Sequence, residues 1–415
     1  MTLSSFSGGV GRALRHRLYR IYILGHTLAA VARWMKRTAV GWLAWELTQS
    51  TSWLGIVAFA DLVPMMLFVI LSGAIADRVG LMRIIRLSQI LSGLIAALLA
   101  ALVFTDLITI EAVVVLSAFF GAAEALSSPA RMAVVNALVP REDLSSAIAL
   151  GAAAFNGSRI VGPAVAGGLI LWTGSATVIA LCAAIFFVFY LLLRAIHIVE
   201  AARGQKLSVA LFVDIWRGFQ YVHGHPGIRF LMFLMVVVSL FLRPVIELMP
   251  GVSGQVFDAG PAGLSLLLGA IGAGALPASL WLARRGEMAG LTGLVTFSMV
   301  GGGVALMLSM VVGELWIAVA LFMVVGAFLV IGNVGAQSLI QNSVEPGVRA
   351  RVLSVFIVLA HGMPAIGSIV AGWIASRYGL QVTIGYGALA MVLVWLWARG
   401  RGATLAPGLE KTDRA

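Results

Sequence analysis

Twelve stretches of about 20 apolar residues follow one another along this chain, and a segment of that length has one stable use, a helix across a bilayer. They lie near 21–47, 53–72, 85–105, 110–128, 147–171, 176–193, 229–251, 261–282, 290–312, 315–337, 352–375 and 382–398. Lipid offers no partner to a backbone N–H or C=O, so each span must satisfy its own, and a helix does. A transmembrane barrel would alternate apolar and polar residues over ten-residue strands, whereas these runs are continuous. Composition points the same way. Hydrophobic residues make up 61% of the chain and charged ones 11%, against about a quarter charged in a soluble domain. The predicted fold class is an all-α integral membrane protein.

A net charge of +11 would suit a nucleic-acid binder if the basic residues formed one face. They alternate with the spans instead. Arg78, Arg83 and Arg86 follow span 2, and Arg131 and Arg141 follow span 4. Arg194, Arg203, Lys206, Arg217 and Arg229 follow span 6, Arg284 and Arg285 span 8, and Arg349 and Arg351 span 10. The opposite connections carry mostly acids: Asp106, Glu111, Asp258 and Glu314, with Arg377 the basic exception. Basic residues stay on the cytoplasmic side. The pattern predicts a multi-pass protein of the cell (inner) membrane with both termini inside. Arg12, Arg15, Arg17 and Arg20 precede an apolar run too long for a signal-peptide core, with no small-residue cleavage site after it, so the first segment is read as a span. Cys182 is the one cysteine, which leaves no disulfide framework and no thiolate metal site.

The longest connection divides the chain into an N-terminal half at 1–193, a linker at 194–228 and a C-terminal half at 229–415. Within the linker, Leu211, Ile215, Phe219 and Val222, with Phe212 and Trp216 beside them, form an apolar stripe at helical spacing. Such a helix fits the inner membrane surface or the underside of a bundle. The halves read as repeats. A shift of 205 carries Gly162, Ala166, Gly167, Gly174 and Ile179 onto Gly367, Ala371, Gly372, Gly379 and Ile384. It also carries Gly121 onto Gly326, Asn136 onto Gln341 and Val139 onto Val344. Two six-helix pseudo-repeats are a transporter architecture with the site near the bilayer midplane.

Each charge at the bilayer centre costs about 2.5–3.5 kcal/mol on insertion scales, so intramembrane charges mark function or pairing. Arg33, Lys36 and Arg37 share one face of span 1. Asp61 in span 2, Glu124 in span 4 and Glu247 in span 7 are the available acids. The cations either pair with these acids and hold helices in register, or face a wet cavity and handle an anion or a proton. Glu124 stands among Gly121, Ala122, Ala123 and Ala125, with no neighbouring base expected on its own helix. It and Asp61, which Pro64 follows, are the predicted proton sites, pairing with Arg37 being the plainer alternative. Asn156 and Arg159 share a face of span 5 with Gly162 and Pro163, and Arg243 and Glu247 stand four apart in span 7, a spacing at which they can pair. Gln341 and His361 complete the candidate pathway. Gly162, Pro163, Gly167 and Gly168 allow close helix approach.

Residues 73–86, GAIADRVGLMRIIR, resemble the loop between spans 2 and 3 of the major facilitator superfamily. Gly73, Asp77, Arg78, Gly80 and Arg83 match, while Leu81 and Met82 replace the basic residues usual there. WMKRTAVGWLAWELTQS at 34–50, SSPARMAVVNALVPREDLSSAIAL at 127–150, FNGSRIVGPAVAGGLI at 155–170 and RARVLSV at 349–355 are similar to the drug- and siderophore-exporter-like branch. Arg33 stands where that branch usually has a small or acidic residue, and GPAVAGG is one residue longer than the antiporter motif it resembles. The resemblance implies the two-repeat major facilitator fold and alternating access. It implies gating by the 73–83 loop and by the span 5 glycines.

The function expected is proton-coupled export of a small amphipathic or anionic compound by a monomer, needing membrane lipids but no nucleic acid and no cofactor beyond a proton gradient. No phosphate-binding G-x-x-x-x-G-K-[ST] loop occurs, which excludes direct ATP drive by this chain. Two alternatives stay open: a lysophospholipid or organic-anion transporter of the same fold, and a non-transporting membrane scaffold or sensor. The six scattered histidines and the absence of a convergent catalytic set argue against an enzyme.

Overall fold

A computed structural model describes residues 11–198 and 210–411; the side chains of 69–71, 73, 74, 76, 77, 210–215, 346, 350 and 361 lie outside that description. Twelve membrane-length helical segments occur among the described residues. Spans 1 to 4 are Arg17–Thr48, Thr51–Val79, Leu81–Phe104 and Ile110–Leu138. Spans 5 and 6 run together as Leu144–Arg194 and part at Gly174, whose φ of 76° is not helical. Span 7 is broken: Pro226–Phe241, then Pro244–Gly251, then a π-helical turn at Val252–Val256. Spans 8 to 12 are Gly260–Arg285, Leu291–Val311, Leu315–Ser343, Pro346–Tyr378 and Leu380–Leu409.

Several helices outrun the apolar stretches that announce them. Span 2 continues to Val79 and span 4 to Leu138, because a helix ends where its hydrogen bonds stop rather than where its hydropathy falls. Arginines in these extra turns can carry their charge away from the apolar zone on a long stem. Leu24, Leu94, Phe119 and Leu191 are exposed, while Lys36, Ser88, Gln89, Ser92, Glu124 and Ser127 are buried. That inside-out distribution is the one lipid imposes.

The chain divides into two compact units, Met1–Leu47 with Ala60–Leu207, and Thr48–Phe59 with Ser208–Ala415. The start of span 2 thus packs with the second unit, where Thr51 donates to the Gly372 carbonyl at 3.0 Å. This departs from a plain division at the linker, since a membrane helix can contribute its two ends to different packings.

Both units use the same glycines for the same purposes. A Cβ on Gly121 would strike the Asp61 carbonyl of span 2, and one on Gly326 the Ile271 carbonyl of span 8. A Cβ on Gly162 would strike Trp34 of span 1, and one on Gly367 would meet Leu240 and Pro244 of span 7. Gly174 and Gly379, with φ of 76° and 87°, turn span 5 into 6 and span 11 into 12, a backbone region glycine enters without steric cost. All three pairs are 205 apart, so the repeat is one of backbone approach as well as sequence.

The linker helix, Ala210–Gly224, packs on span 11. Gly218 lies against the Arg351 backbone and Val222 is buried. The predicted stripe is therefore split, since Trp216 and Phe219 are exposed and stack on each other at 6.1 Å. Leu211, Phe212 and Ile215 fall outside the described side chains.

The C-terminal end is fastened to its own unit. Glu410 accepts from the Gly290 and Thr292 backbone N–H groups at 2.6 and 2.8 Å, capping span 9 from a distant part of the chain. Asn342 and Ser343 donate to the Leu409 carbonyl, and Leu409 packs on Gly227. In the first unit the corresponding helix pair is joined with opposite polarity: Arg86 of span 3 donates to the Leu193 and Ile196 carbonyls at the end of span 6, both at 2.8 Å.

Two substitutions test this packing. Gly121→Ala and Gly326→Ala are expected to lower the melting temperature in detergent, each by the equivalent of about 1–3 kcal/mol of overpacking. Gly168→Ala, with open space around it, is expected to be neutral or slightly stabilising. Equal behaviour of the three would remove the close crossings. Glu410→Ala should cost about 0.5–2 kcal/mol, the usual loss on removing a helix cap.

Candidate functional site

The intramembrane charges of the first unit collect around two acids. Glu124 Oε2 lies 3.1 Å from Arg131 and 3.6 Å from Arg33 Nε, and Ser92 Oγ donates to Glu124 Oε1 at 3.2 Å. Arg131 is a correction to the sequence reading, which left Glu124 without a base on its own helix and placed Arg131 in the following connection. Seven residues are nearly two turns, so both side chains lie on one face of span 4. Ser127, halfway between them, accepts from Arg131 at 2.5 Å and pairs with Ser88 at 2.9 Å. Tyr22 donates to the Arg131 carbonyl at 3.1 Å. Spans 1, 3 and 4 are thereby tied through one carboxylate.

The second acid is Asp61. Lys36 Nζ stands 3.2 Å from Asp61 Oδ1 and 3.6 Å from the centre of the Phe120 ring, a cation–π contact that partly replaces lost water. Arg37 also lies in the field of Asp61. The three cations of span 1 are thus distributed over spans 2 and 4, Arg33 to Glu124 and Lys36 to Asp61. The pairing of Glu124 with Arg37 is replaced by pairs to Arg33 and Arg131. The reason is rotational: Arg33 and Lys36 sit about 60° apart around the helix, enough to aim at different neighbours.

Arg37 and Arg159 both lie near Trp34. Each guanidinium carbon lies over the Trp34 ring, at 5.4 and 5.5 Å from its centre. Gly162 brings span 5 that close to Trp34. Asn156 turns back on its own helix and donates to the Ala152 carbonyl at 3.0 Å.

In the second unit Arg243 sits at the break of span 7, just before Pro244. It donates to the Ala360 carbonyl of span 11 at 2.7 Å and faces Asn333 Oδ1 of span 10 at 3.5 Å. Proline has no N–H to continue the ladder, which is why the helix breaks there. Glu247 is half-buried one turn further on. A groove of about 800 Å³ lies among spans 7, 11 and 12, lined by Leu240, Phe241, Val245, Val370, Ile374 and Tyr386 among others, and is almost entirely apolar.

The remaining candidates are scattered. Gln341 is exposed in the last turn of span 10. Pro163 and Gly167 are buried in span 5, and Gly168 is exposed. Gly80, with φ of 98°, is the one-residue turn between spans 2 and 3, and Arg78 and Arg83 beside it are exposed. The side chains of Asp77 and His361, with residue 73, lie outside the described set. Sequence reasoning missed Arg131, Ser92, Trp34 and Asn333. The seven-residue spacing from Glu124 could have revealed Arg131; no local signal marks the others.

Comparison with known proteins decides the family. The family model for transmembrane secretion effectors matches residues 11–401. The chain belongs to that family, within the major facilitator superfamily. As a major facilitator protein it is a transporter rather than an enzyme, and a multi-pass membrane protein. It is 24% identical over 374 residues to the staphyloferrin A transporter of Staphylococcus aureus (strain NCTC 8325 / PS 47), covering 88% of this chain and 92% of that one. It is 26% identical over 403 residues to the multidrug efflux pump Tap of Mycolicibacterium fortuitum, covering 91% and 92%. Its backbone is similar to a crystal structure of a bacterial homologue of the human lysosomal transporter Spinster, with TM-score 0.72 at 13% identity, covering 96% and 99%.

The ion pairs make a direct prediction. Glu124→Gln leaves two largely buried guanidiniums, 15% and 11% exposed, facing a neutral amide, and stability in detergent should fall by about 3–5 kcal/mol. Lys36→Met combined with Asp61→Leu should cost less than either change alone, because no charge is left stranded. Thermal unfolding of the single and double variants measures both. Additive losses in the cycle would mean that Lys36 and Asp61 do not interact.

Proposed function

We propose that this major facilitator transporter is a secondary active exporter of small amphipathic or anionic compounds, driven by protons across the cell (inner) membrane, with both termini cytoplasmic. The observation that carries the reading is the pair of intramembrane acids, Asp61 and Glu124, each held by a cation of span 1. A proton arriving on either acid cancels its charge and frees the cation. The helices that the pair holds in register are then released. This is a local electrostatic event acting on packed helices that have more than one arrangement.

The similarity to the multidrug efflux pump Tap supports export as the direction. Orientation follows from the alternation of basic connections. The apolar groove among spans 7, 11 and 12 supports a ligand with a hydrophobic part and favours, as a second reading, a lipid-like anion handled by the same fold.

Purified protein in liposomes with an imposed pH gradient provides the test, using a panel of amphipathic dyes, drugs and organic anions. Flux of at least one compound should follow the gradient and collapse with a protonophore. Asp61→Asn and Glu124→Gln, compared per folded molecule, should lose gradient-driven flux by tenfold or more while retaining exchange without a gradient. Flux in the wild type that ignores the gradient would sink proton coupling; flux in neither direction for the whole panel would sink transport of this class.

A further inference from the structure

Arg377 is the basic residue that the alternation of connections leaves unexplained. It stands in the last turn of span 11, in a connection of the kind that elsewhere in the second unit carries acids, Asp258 and Glu314. Among the described residues no carboxylate lies within 4 Å of it. Its partner is a ring one turn back: the guanidinium carbon lies 4.0 Å from the centre of Trp373. Stacking uses the face of a guanidinium and leaves the N–H edge, which is the part that matches a phosphate or carboxylate. Arg377 and Trp373 are both exposed.

The apolar groove among spans 7, 11 and 12 runs up to this residue. Val370, Ile374 and Arg377 recur at intervals of four and three, which is one stripe of a helix. Val370, Ile374 and the neighbouring Tyr378 line the groove, so Arg377 stands at the head of its span 11 wall. Pro244, at the break of span 7, and Gly387 of span 12 belong to the other walls. Spans 7 and 11 touch at Gly367, where a Cβ would meet Leu240 and Pro244, and beyond that crossing about 800 Å³ opens between the helices. Trp373 and Tyr378 are exposed near the end of span 11, and such rings gather at the level of lipid headgroups. Lipid tails are as apolar as the groove, so a chain alone has no reason to prefer it to the bilayer. Selectivity has to come from the headgroup, and a basic residue beside an interhelical groove meets an anionic one.

We propose that this groove, with Arg377 at its end, binds an anionic phospholipid of the surrounding bilayer. One acyl chain lies along Val370, Ile374 and Gly387, and the phosphate sits on the Arg377 guanidinium. The site goes beyond the export reading, and binding needs no flux. The lipid joins span 7 at its break to spans 11 and 12 within one unit.

Thermal stability of the purified protein in dodecylmaltoside, washed free of native lipid, tests the site. The probes are phosphatidylglycerol, phosphatidylcholine with the same chains, and glycerol 3-phosphate as a headgroup without chains. Phosphatidylglycerol should raise the melting temperature by several degrees, well beyond either of the others. Arg377→Gln should raise its half-saturating concentration about fivefold, the ~1 kcal/mol that one basic residue near a membrane surface contributes toward an anionic lipid. Gly387→Leu puts a side chain into the groove, its Cβ meeting Phe241 at an ordinary 3.5 Å, and should weaken binding at least as much. Arg401→Gln, which removes an arginine stacked on Trp397 toward the other end of span 12, should leave binding unchanged.

If Gly387→Leu does not yield monodisperse protein, Ala371→Val, a smaller filling of the same groove, supplies the reading. Equal stabilisation by the two lipids, equal half-saturation in wild type and Arg377→Gln, or undiminished binding by the groove-filling variant would overturn the site. Glycerol 3-phosphate as effective as phosphatidylglycerol would replace the lipid by a soluble phosphate and sink the proposal. Selective stabilisation that is lost in Arg377→Gln, with no pH-driven flux in liposomes, would uphold the lipid site and defeat export. Gradient-driven flux without any lipid selectivity would do the reverse.

Discussion

A charge inside the hydrocarbon must be met by another charge or by dipoles, because water is not there to do it. In this transporter that requirement gathers spans 1, 2 and 4. Arg33, Lys36 and Arg37 enter on one helix, and the acids that meet them are supplied from span 2 by Asp61 and from span 4 by Glu124. Arg131, Ser92, Ser88, Ser127 and Tyr22 then complete the polar network around Glu124. Helix packing in lipid has no hydrophobic force to lean on, so these pairs and the glycine crossings fix which helices touch.

The crossings and the charges follow different rules. Gly121 and Gly326 each admit a carbonyl of the helix two spans earlier, and Gly162 and Gly367 each admit the helix four spans earlier. The backbone scaffold is therefore duplicated. The chemistry is not: where Gly121 meets the carbonyl of a charged residue, Asp61, Gly326 meets that of Ile271. The first unit concentrates the buried ion pairs. The second offers a broken span 7 with Arg243 at the break, and an apolar groove.

The span count, the repeat offset and the identity of the intramembrane charges were legible because each depends on local composition or on a fixed spacing. Gly174 and Gly379 were visible as a pair 205 apart, and their shared turn geometry gives that spacing its reason. The partners of the charges were not legible. Arg131 looked like a connection residue because the apolar stretch ended before it, although the helix continues to Leu138. The capping of span 9 by Glu410, 118 residues away from Thr292, has no local signature. Nor has the approach of Arg159 to Trp34, which needs span 5 to cross span 1 at Gly162.

The sequence by itself determined that this chain lives in a membrane as twelve helices in two repeats, since backbone satisfaction in lipid leaves no other solution for such runs of apolar residues. It also marked most of the intramembrane charges, Arg131 excepted. Only the tertiary structure decided which charge meets which, because that depends on crossing points set by single glycines, where the absence of one carbon brings two helices into contact. The candidate site is a product of those crossings, and its residues come from helices that are separate in the sequence.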